Sequence, residues 1–219
     1  MVAVQEATAK STGRATTRDP ERTRAAILAA AMEEFAANGL TGARVDAIAS
    51  RARVNKRMIY HYFGDKEGLY LAVLEATYGS IRAAELDLHL TDRDPVDGMR
   101  ELVLFTWRYF LAHPEFLSLL GTENLHKAAY LKRSKRIREL HSPLVGMISS
   151  LLARGEKARV FRAGVDPVEL YVTIAALGFF YLSNRHTLST IFGRDLSAPK
   201  RLAAREKHIV DVVLNFLKV

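Results

Sequence analysis

Residues 44–66 read Arg-Val-Asp-Ala-Ile-Ala-Ser-Arg-Ala-Arg-Val-Asn-Lys-Arg-Met-Ile-Tyr-His-Tyr-Phe-Gly-Asp-Lys, and they form the most informative segment of the chain. Its apolar residues recur at helical spacing with one interruption: Val45, Ile48, Ala49, Val54, Ile59 and Phe63. The pattern predicts two short helices joined by a tight turn. The second helix would expose side chains suited to DNA contact, namely Lys56, Arg57, Tyr60 and His61. A short exposed helix that packs on a partner helix is the arrangement of a helix-turn-helix DNA-binding motif.

The composition agrees with such a role. The chain has 219 residues, enough for one large or two small domains, and a net charge of +8, which favours a polyanionic partner. The absence of cysteine excludes a disulfide scaffold, a thiolate zinc site and a cysteine nucleophile. No apolar run is long enough for a membrane span, and the N-terminus lacks the layout of a secretory signal. We therefore expect a cytoplasmic protein of bacterial type.

The first 19 residues differ in composition from the rest of the chain. They are rich in Ala, Thr and Ser, and Lys10, Arg14 and Arg18 are spread along them. This pattern predicts a flexible basic tail, which is either simply disordered or an arm that adds contacts to DNA. We expect a helix-turn-helix DNA-binding domain over residues 20–66, with the motif itself at about 44–63, and a helical domain over residues 67–219.

Capping residues and prolines divide the chain into helices. Asp19-Pro20 predicts the start of the first helix and Asn38-Gly39 its end, and Asp65 predicts the cap of a long helix from Lys66 to about Leu90. Five more helices are predicted at 95–113, at 114 to about 124, at 127–154 with a bend or break at Pro143, at 167–186, and from a Ser197 cap to about Leu217. The fold class is all-α: a three-helix N-terminal domain and a larger helical bundle, with nine or ten helices in total.

Specific motifs run through the first third of the chain without a gap. They are Ile27-Leu28-x-Ala30-Ala31, Phe35 and Gly39 in the first helix, Ile48-Ala49 in the second, Ile59-Tyr60-His61-Tyr62-Phe63, and Asp65-Lys66-x-x-Leu69. On these motifs, residues 24–66 resemble the N-terminal domain of TetR-family transcriptional regulators. The later portion agrees with that family in its helical layout and is more distantly similar to regulators of aromatic-compound catabolism.

The resemblance implies a role for each residue of the second motif helix. Asn55 would cap it, Lys56 and Arg57 would face base edges, and Met58 would contact a thymine methyl group. Arg57 would bind the two acceptors of a guanine. Contacts implied with the DNA backbone come from Tyr60, Tyr62, Lys66 and His61, of which His61 could also reach a base.

Two residues depart from the family pattern. Arg53 stands where the turn usually has glycine, at a position that tends to require a positive φ, so the turn either accepts strain or differs in geometry. Arg44 stands where Ser or Thr normally caps the first motif helix, which suggests that it contacts a phosphate instead.

The resemblance further implies that the C-terminal domain encloses an apolar pocket for a small effector, although most of its aromatic residues could simply form a core. Candidate pocket residues are Trp107, Phe110, Glu123, Asn124, His126, Tyr130, Phe180, Asn184 and Arg185. Glu123 and His126 have the spacing of two metal ligands, but a second such pair is not evident, so we expect no metal site and no cofactor.

The last two predicted helices have broad apolar faces. These faces either complete the core of the monomer or form a four-helix bundle with a second chain, and the resemblance favours a homodimer. Candidate dimer residues are Leu170, Ile174, Leu177, Tyr181, Ile209, Val213 and Phe216.

The resemblance implies a homodimeric repressor that binds a palindromic DNA operator, associates with the nucleoid when bound, and is released by a partly apolar small molecule. Three alternatives are an activator on the same scaffold, a non-specific architectural nucleic-acid binder, and an all-helical enzyme with a basic surface. The enzyme is disfavoured because the sequence has no catalytic or cofactor motif.

Overall fold

A computed structural model describes residues 19–219, in which the backbone forms ten α-helices and no extended strand. The helices are α1 (Pro20–Gly42), α2 (Val45–Ala52), α3 (Lys56–Phe63), α4 (Lys66–Leu86), α5 (Pro95–Ala112), α6 (Pro114–Leu125), α7 (Lys135–Lys157), α8 (Pro167–Ser183), α9 (Arg185–Phe192) and α10 (Pro199–Leu217). Short 3₁₀ turns lie at Leu90–Asp92 and Leu131–Arg133. The predicted tail falls almost entirely outside the described residues. From Asp19 onwards, every helix is too short or too polar to cross a membrane.

The helix starts predicted from Asp-Pro pairs are confirmed. A carboxylate oxygen of Asp19 accepts the backbone N–H of Glu21, and Pro20 occupies the first helical position. Asp94 and Asp166 cap α5 and α8 in the same way. The predicted end of the first helix is also confirmed in outline, because Gly39 has a φ of 63° and breaks the regular helix before a last turn to Gly42.

Two predicted helix ends were wrong. The fourth helix ends at Leu86 rather than near Leu90, where the chain turns through His89 at a φ of 48°. The helix predicted to run through His186 stops at Ser183, because Asn184 leaves the helical conformation and its side chain donates to the carbonyl of Phe180. A separate helix, α9, follows it.

Two predicted helix starts were also wrong. The helix predicted from residue 127 begins at Lys135, because Lys127 and Ala128 have positive φ values and Ser134 supplies the cap. Pro143 lies inside this helix without ending it. The last helix has Ala198 rather than Ser197 at its cap position.

Two apolar clusters hold the chain together, and α4 belongs to both. Residues of α1–α3 pack around Phe35, Ile48 and Ile59 with the first half of α4. The second half of α4 packs through Ile81 against a larger cluster formed mainly by α5, α7, α8 and α10 around Trp107. A displacement of α4 in the larger cluster would therefore be transmitted to the motif helices.

Candidate nucleic-acid interface

The turn between α2 and α3 keeps arginine in a left-handed conformation. Arg53 has φ 54° and ψ 42°, and its N–H donates to the carbonyl of Ser50 at 3.1 Å. The turn therefore accepts the strain, which costs about 1 kcal/mol for a residue with a Cβ. Asn55 then caps α3 as predicted, accepting the N–H of Arg57 at 2.9 Å.

Helix α3 has one buried anchor and an exposed outer face. Ile59 is completely buried between α1, α2 and α4, while Arg57, Tyr60 and His61 are exposed. Among the described residues, the guanidinium of Arg57 forms no ion pair. The outer face of α3 therefore presents the guanidinium of Arg57 and the rings of Tyr60 and His61, which carry hydrogen-bonding atoms.

Lys56 is held by the neighbouring helix. Its ammonium lies 2.8 Å from a carboxylate oxygen of Asp46 on α2, and this hydrogen bond raises the pKa of Lys56 and lowers the pKa of Asp46. The contact fixes α2 against the start of α3. A base contact by Lys56 would have to compete with Asp46, so Arg57 is better placed for that role.

Met58 and Tyr62 are half-buried against the core of the first three helices. Each therefore presents only part of its side chain to a partner. The thymine contact that the resemblance implies for Met58 is thus less accessible than the contacts implied for Arg57 and Tyr60.

The start of α4 completes the interface. Asp65 caps it by accepting the N–H of Gly68 at 2.7 Å, as predicted, and the ammonium of Lys66 donates to the carbonyl of Thr41 at 3.1 Å. Lys66 thereby ties the end of α1 to the start of α4. Its charge sits at the positive end of the helix dipole, a combination that suits a phosphate.

Glu34 on α1 is a residue whose importance the sequence did not reveal. It is buried, and one carboxylate oxygen accepts the backbone N–H of Arg44 at 3.1 Å while the other lies 3.5 Å from the guanidinium of Arg51. Glu34 thus contacts residues at both ends of α2. The exposed side chain of Arg44 makes no capping bond, so Glu34 takes over part of the role of the missing Ser or Thr cap.

We expect Glu34→Ala to destabilise the protein by about 1–3 kcal/mol, because it leaves the N–H of Arg44 without its acceptor. Thermal unfolding monitored by circular dichroism measures the loss. The neighbouring Glu33→Ala is the matched control, since Glu33 only forms an exposed pair with Arg51 and should cost less than about 1 kcal/mol. Equal losses for the two variants would contradict the role of Glu34.

The structure does not bring the predicted pocket residues together around one cavity. Trp107 and Phe110 lie in the core, whereas Asn124, His126 and Phe180 are exposed. Of the remaining candidates, Tyr130, Asn184 and Arg185 are half-buried, and Arg185 lines a cavity between α6 and the end of α8.

Glu123 has a contact that its sequence position did not predict. It is buried, and its carboxylate accepts the N–H of Leu131 at 3.0 Å, which ties the segment after α6 to that helix. The pKa of Tyr70 on α4 is raised, first by burial of its hydroxyl and second by the nearby Glu123 carboxylate. Across residues 19–219 no group of three or more His, Asp and Glu side chains is arranged to hold a metal ion.

The predicted dimer residues divide into two groups. Four are buried in the core of the monomer: Leu170, Ile174, Ile209 and Val213. Leu177 and Tyr181 are half-buried, and Phe216 is exposed. Other apolar residues of α8 are exposed to solvent. The helical spacing alone did not distinguish these exposed residues from the buried ones.

The fold and this interface define a helix-turn-helix DNA-binding protein with a helical C-terminal domain. Residues 27–73 match the family model described as bacterial regulatory proteins of the tetR family, and residues 95–213 match that of the tetracyclin repressor-like C-terminal domain. The chain belongs to the TetR family of transcriptional regulators. It is a regulator and not an enzyme.

Several known proteins are similar to this chain. The HTH-type transcriptional repressor NicS of Pseudomonas putida is 41% identical over 198 residues, which cover 90% of this chain and 93% of NicS. The repressor SCO4008 of Streptomyces coelicolor is 43% identical over 49% of this chain and 53% of its own length. Among solved structures, the regulator SCO4942 of Streptomyces coelicolor superposes with a TM-score of 0.67 at 27% identity, covering 89% of this chain and 98% of the other.

Proposed function

We propose that the protein is a homodimeric repressor that binds a palindromic operator through α3 and is released by a small molecule bound in its C-terminal domain. The exposed outer face of α3, with Arg57, Tyr60 and His61 directed away from the core, carries this proposal. A single short helix reaches few bases, so two copies spaced about 34–36 Å apart on successive turns of DNA would supply the specificity. In its bacterial cell the protein would be cytoplasmic and associated with the nucleoid when bound.

The test compares DNA sequences at one fixed salt concentration. Fluorescence anisotropy would measure binding to the DNA upstream of the protein's own gene and to a scrambled duplex of equal length and composition. We expect an affinity ratio of about 10³ or more for a specific regulator. Equal affinities for both duplexes would point to an architectural binder. A reporter fused to the upstream DNA separates repression from activation by the sign of its response.

A stripe of exposed apolar residues on α8 supports the dimer. Val168, Val172, Ala176 and Phe180 follow each other at intervals of four residues, which places them along one side of the helix. Val172 is 52% exposed and Phe180 is 60% exposed. The opposite side of α8 is already packed in the monomer core through Leu170 and Ile174. An apolar stripe of this kind suits a second copy of the same helix in a four-helix bundle.

We expect Val172→Asp to convert the dimer into a monomer and to weaken operator binding, because the carboxylate would be buried against its own copy across a two-fold axis. Analytical ultracentrifugation measures the mass. Leu125→Asp is the matched control, since Leu125 is 79% exposed at the end of α6, away from this stripe. A dimer that survives Val172→Asp would place the interface elsewhere.

Helix α4 provides the route from an effector to the operator. It carries Lys66 at its first residue and packs against α7 and the core of the larger domain along its second half. An effector that binds more tightly to one position of α4 would shift the protein towards that position and change the spacing of the two α3 helices.

A further inference from the structure

A cleft between α4 and α7 contains polar atoms that the protein itself does not satisfy. Its volume is about 380 Å³, and Arg82 and Glu85 of α4 lie at its floor. The two side chains are 4% and 1% exposed, and their nearest charged atoms, Nη1 of Arg82 and Oε2 of Glu85, are 3.0 Å apart. Among the described side chains, which exclude those of residues 138 and 140–142 on α7, both oxygens of Glu85 and the Nε and Nη1 atoms of Arg82 have no partner with hydrogen-bond geometry.

Buried polar atoms without partners destabilise a fold and usually indicate a missing ligand or water. Arg82 is otherwise well held, because its Nη2 donates to the hydroxyl of Tyr171 on α8 at 3.1 Å. The guanidinium is therefore fixed in orientation, with its remaining donors next to the acceptors of Glu85. The floor of the cleft offers a donor and an acceptor side by side.

Part of the cleft wall is apolar. Pro143, Leu144 and Met147 line it from α7, and Leu86 lines it from α4. Arg136 and Glu139 of α7 line it as well and are exposed to solvent. The pair at the floor has no net charge when Glu85 is ionised, so a ligand with a net charge buried there would lack a counter-ion. The shape favours an apolar body with one polar edge.

We infer that this cleft binds a small uncharged molecule whose edge presents a hydrogen-bond acceptor to Arg82 and an adjacent N–H or O–H donor to Glu85, as an amide, lactam or undissociated carboxylic acid does. The inference rests on the proposed function in one respect, since it identifies the ligand class of the effector. Burial raises the pKa of Glu85 to about 7, against the opposing effect of Arg82, as expected for a carboxylate that lacks donors.

A second cavity also touches α4, and we call it the junction cavity. It has a volume of about 220 Å³ and lies between α1, α4 and α5, with Met32 and Thr77 in its lining. The buried hydroxyl of Thr77 is satisfied by the carbonyl of Val73 at 2.8 Å, and no other residue of this lining has an unsatisfied buried side-chain atom among the described residues. The lining of the junction cavity therefore gives no indication of a polar ligand.

Methionine methyl groups report separately on the two cavities. The chain has five methionines, of which Met147 lines the α4–α7 cleft, Met32 lines the junction cavity and Met58 lies on α3. The full-length protein, labelled with ¹³C at its methionine methyl groups and free of DNA, would be titrated with benzamide. N,N-dimethylbenzamide is the matched control compound, because it keeps the acceptor and the ring but has no N–H donor.

We expect benzamide to shift the Met147 signal and to bind about ten-fold or more tightly than the dimethyl compound. The double substitution Arg82→Met with Glu85→Leu replaces the pair with apolar groups of similar size, a change that buried pairs often tolerate, and should remove this preference. Glu85→Gln, which keeps the shape of the carboxylate, is the second variant and should reduce the preference. Thermal unfolding checks that each variant is folded.

Three results would overturn the inference: no change at Met147 up to the solubility of benzamide, a change at Met32 alone, or equal affinities for the two compounds in the natural protein. Operator binding is measured in a separate experiment. Specific operator binding without a benzamide site would therefore reject the ligand class and leave the proposed function standing. The reverse result would reject the proposed function and leave the cleft assignment standing.

Discussion

Arg57→Ala is expected to weaken operator binding by about 1–3 kcal/mol at each half-site, because it removes a cation able to bind two acceptors of one guanine. A dimer loses the contact twice, so affinity should fall by about 30-fold to 10⁴-fold. Arg57 is exposed on α3 and its backbone is fixed by the Asn55 cap, so the protein itself should be as stable as before. Anisotropy titrations with operator and scrambled duplexes at one salt concentration measure the effect.

The comparison between the two duplexes decides the role of Arg57. If it reads a base, the operator affinity falls much more than the affinity for scrambled DNA, and the preference at one position of each half-site is relaxed. Arg100→Ala is the matched control, because it removes the same charge from an exposed position on α5. A loss that is equal on both duplexes would reduce Arg57 to a phosphate contact.

The helix-turn-helix could be predicted from the sequence because its signals are local. The cap of α3 at Asn55, the cap of α4 at Asp65 and the turn at Arg53 depend on residues a few positions away. Ile59 as the anchor of α3 follows from the same short-range periodicity. The family resemblance added DNA contacts, which for Arg57 and Tyr60 agree with side chains that the fold leaves exposed.

The rest of the interface depends on contacts between distant parts of the chain. Glu34 supports α2 only because α1 brings its carboxylate to Arg44, ten residues later. No local signal separates it from Glu33, the exposed neighbour. The cleft has the same origin, because burial of Arg82 and Glu85 results from the packing of α7 and α8 against α4. A charged residue four or fewer positions from its partner usually forms an exposed helix pair.

Misplaced helix ends also have a physical cause. Lys127, Ala128 and His89 adopt positive φ values although none is a glycine or asparagine. The residue types at these positions therefore did not predict an interruption of the helix. Tertiary contacts stabilise the non-helical segment at Lys127 and Ala128. Glu123 accepts the N–H of Leu131, and Ser134 donates to Glu75 of α4 at 2.6 Å. The packing of the segment against α4 and α6 fixes its shape.

Arg82→Met is expected to destabilise the protein by about 1–3 kcal/mol at about pH 8, because Tyr171 loses its donor and the buried Glu85 carboxylate loses its counter-ion and has to take up a proton. The loss should be smaller at about pH 5, where Glu85 can take up a proton and become neutral. Urea unfolding at both pH values measures it. In a Glu85→Gln background the same substitution should cost less at pH 8 and about the same at both pH values, and an undiminished cost at pH 8 would show that the loss does not come from the unpaired carboxylate.

The natural protein should show the pH dependence of the same group. The pKa of Glu85 is raised from 4.5 to about 7 on folding, so between these values the folded state binds a proton that the unfolded state releases. Its contribution is therefore present below about pH 4.5 and is lost as the pH rises through about 7, by at most about 3 kcal/mol.

Glu85→Gln should flatten that part of the profile, and the difference between the two proteins isolates Glu85 from every other titrating group. The ionisable groups near Glu85 are Arg82 on α4, Tyr109 on α5, Arg136 and Glu139 on α7, and Tyr171 on α8. Of the two carboxylates in this set, Glu139 is exposed to solvent and Glu85 is buried with a raised pKa, so the difference between the two proteins reports on the buried one. Identical profiles for the two proteins would mean that Glu85 ionises in the folded state as readily as in the unfolded chain, and that the floor of the cleft is already satisfied.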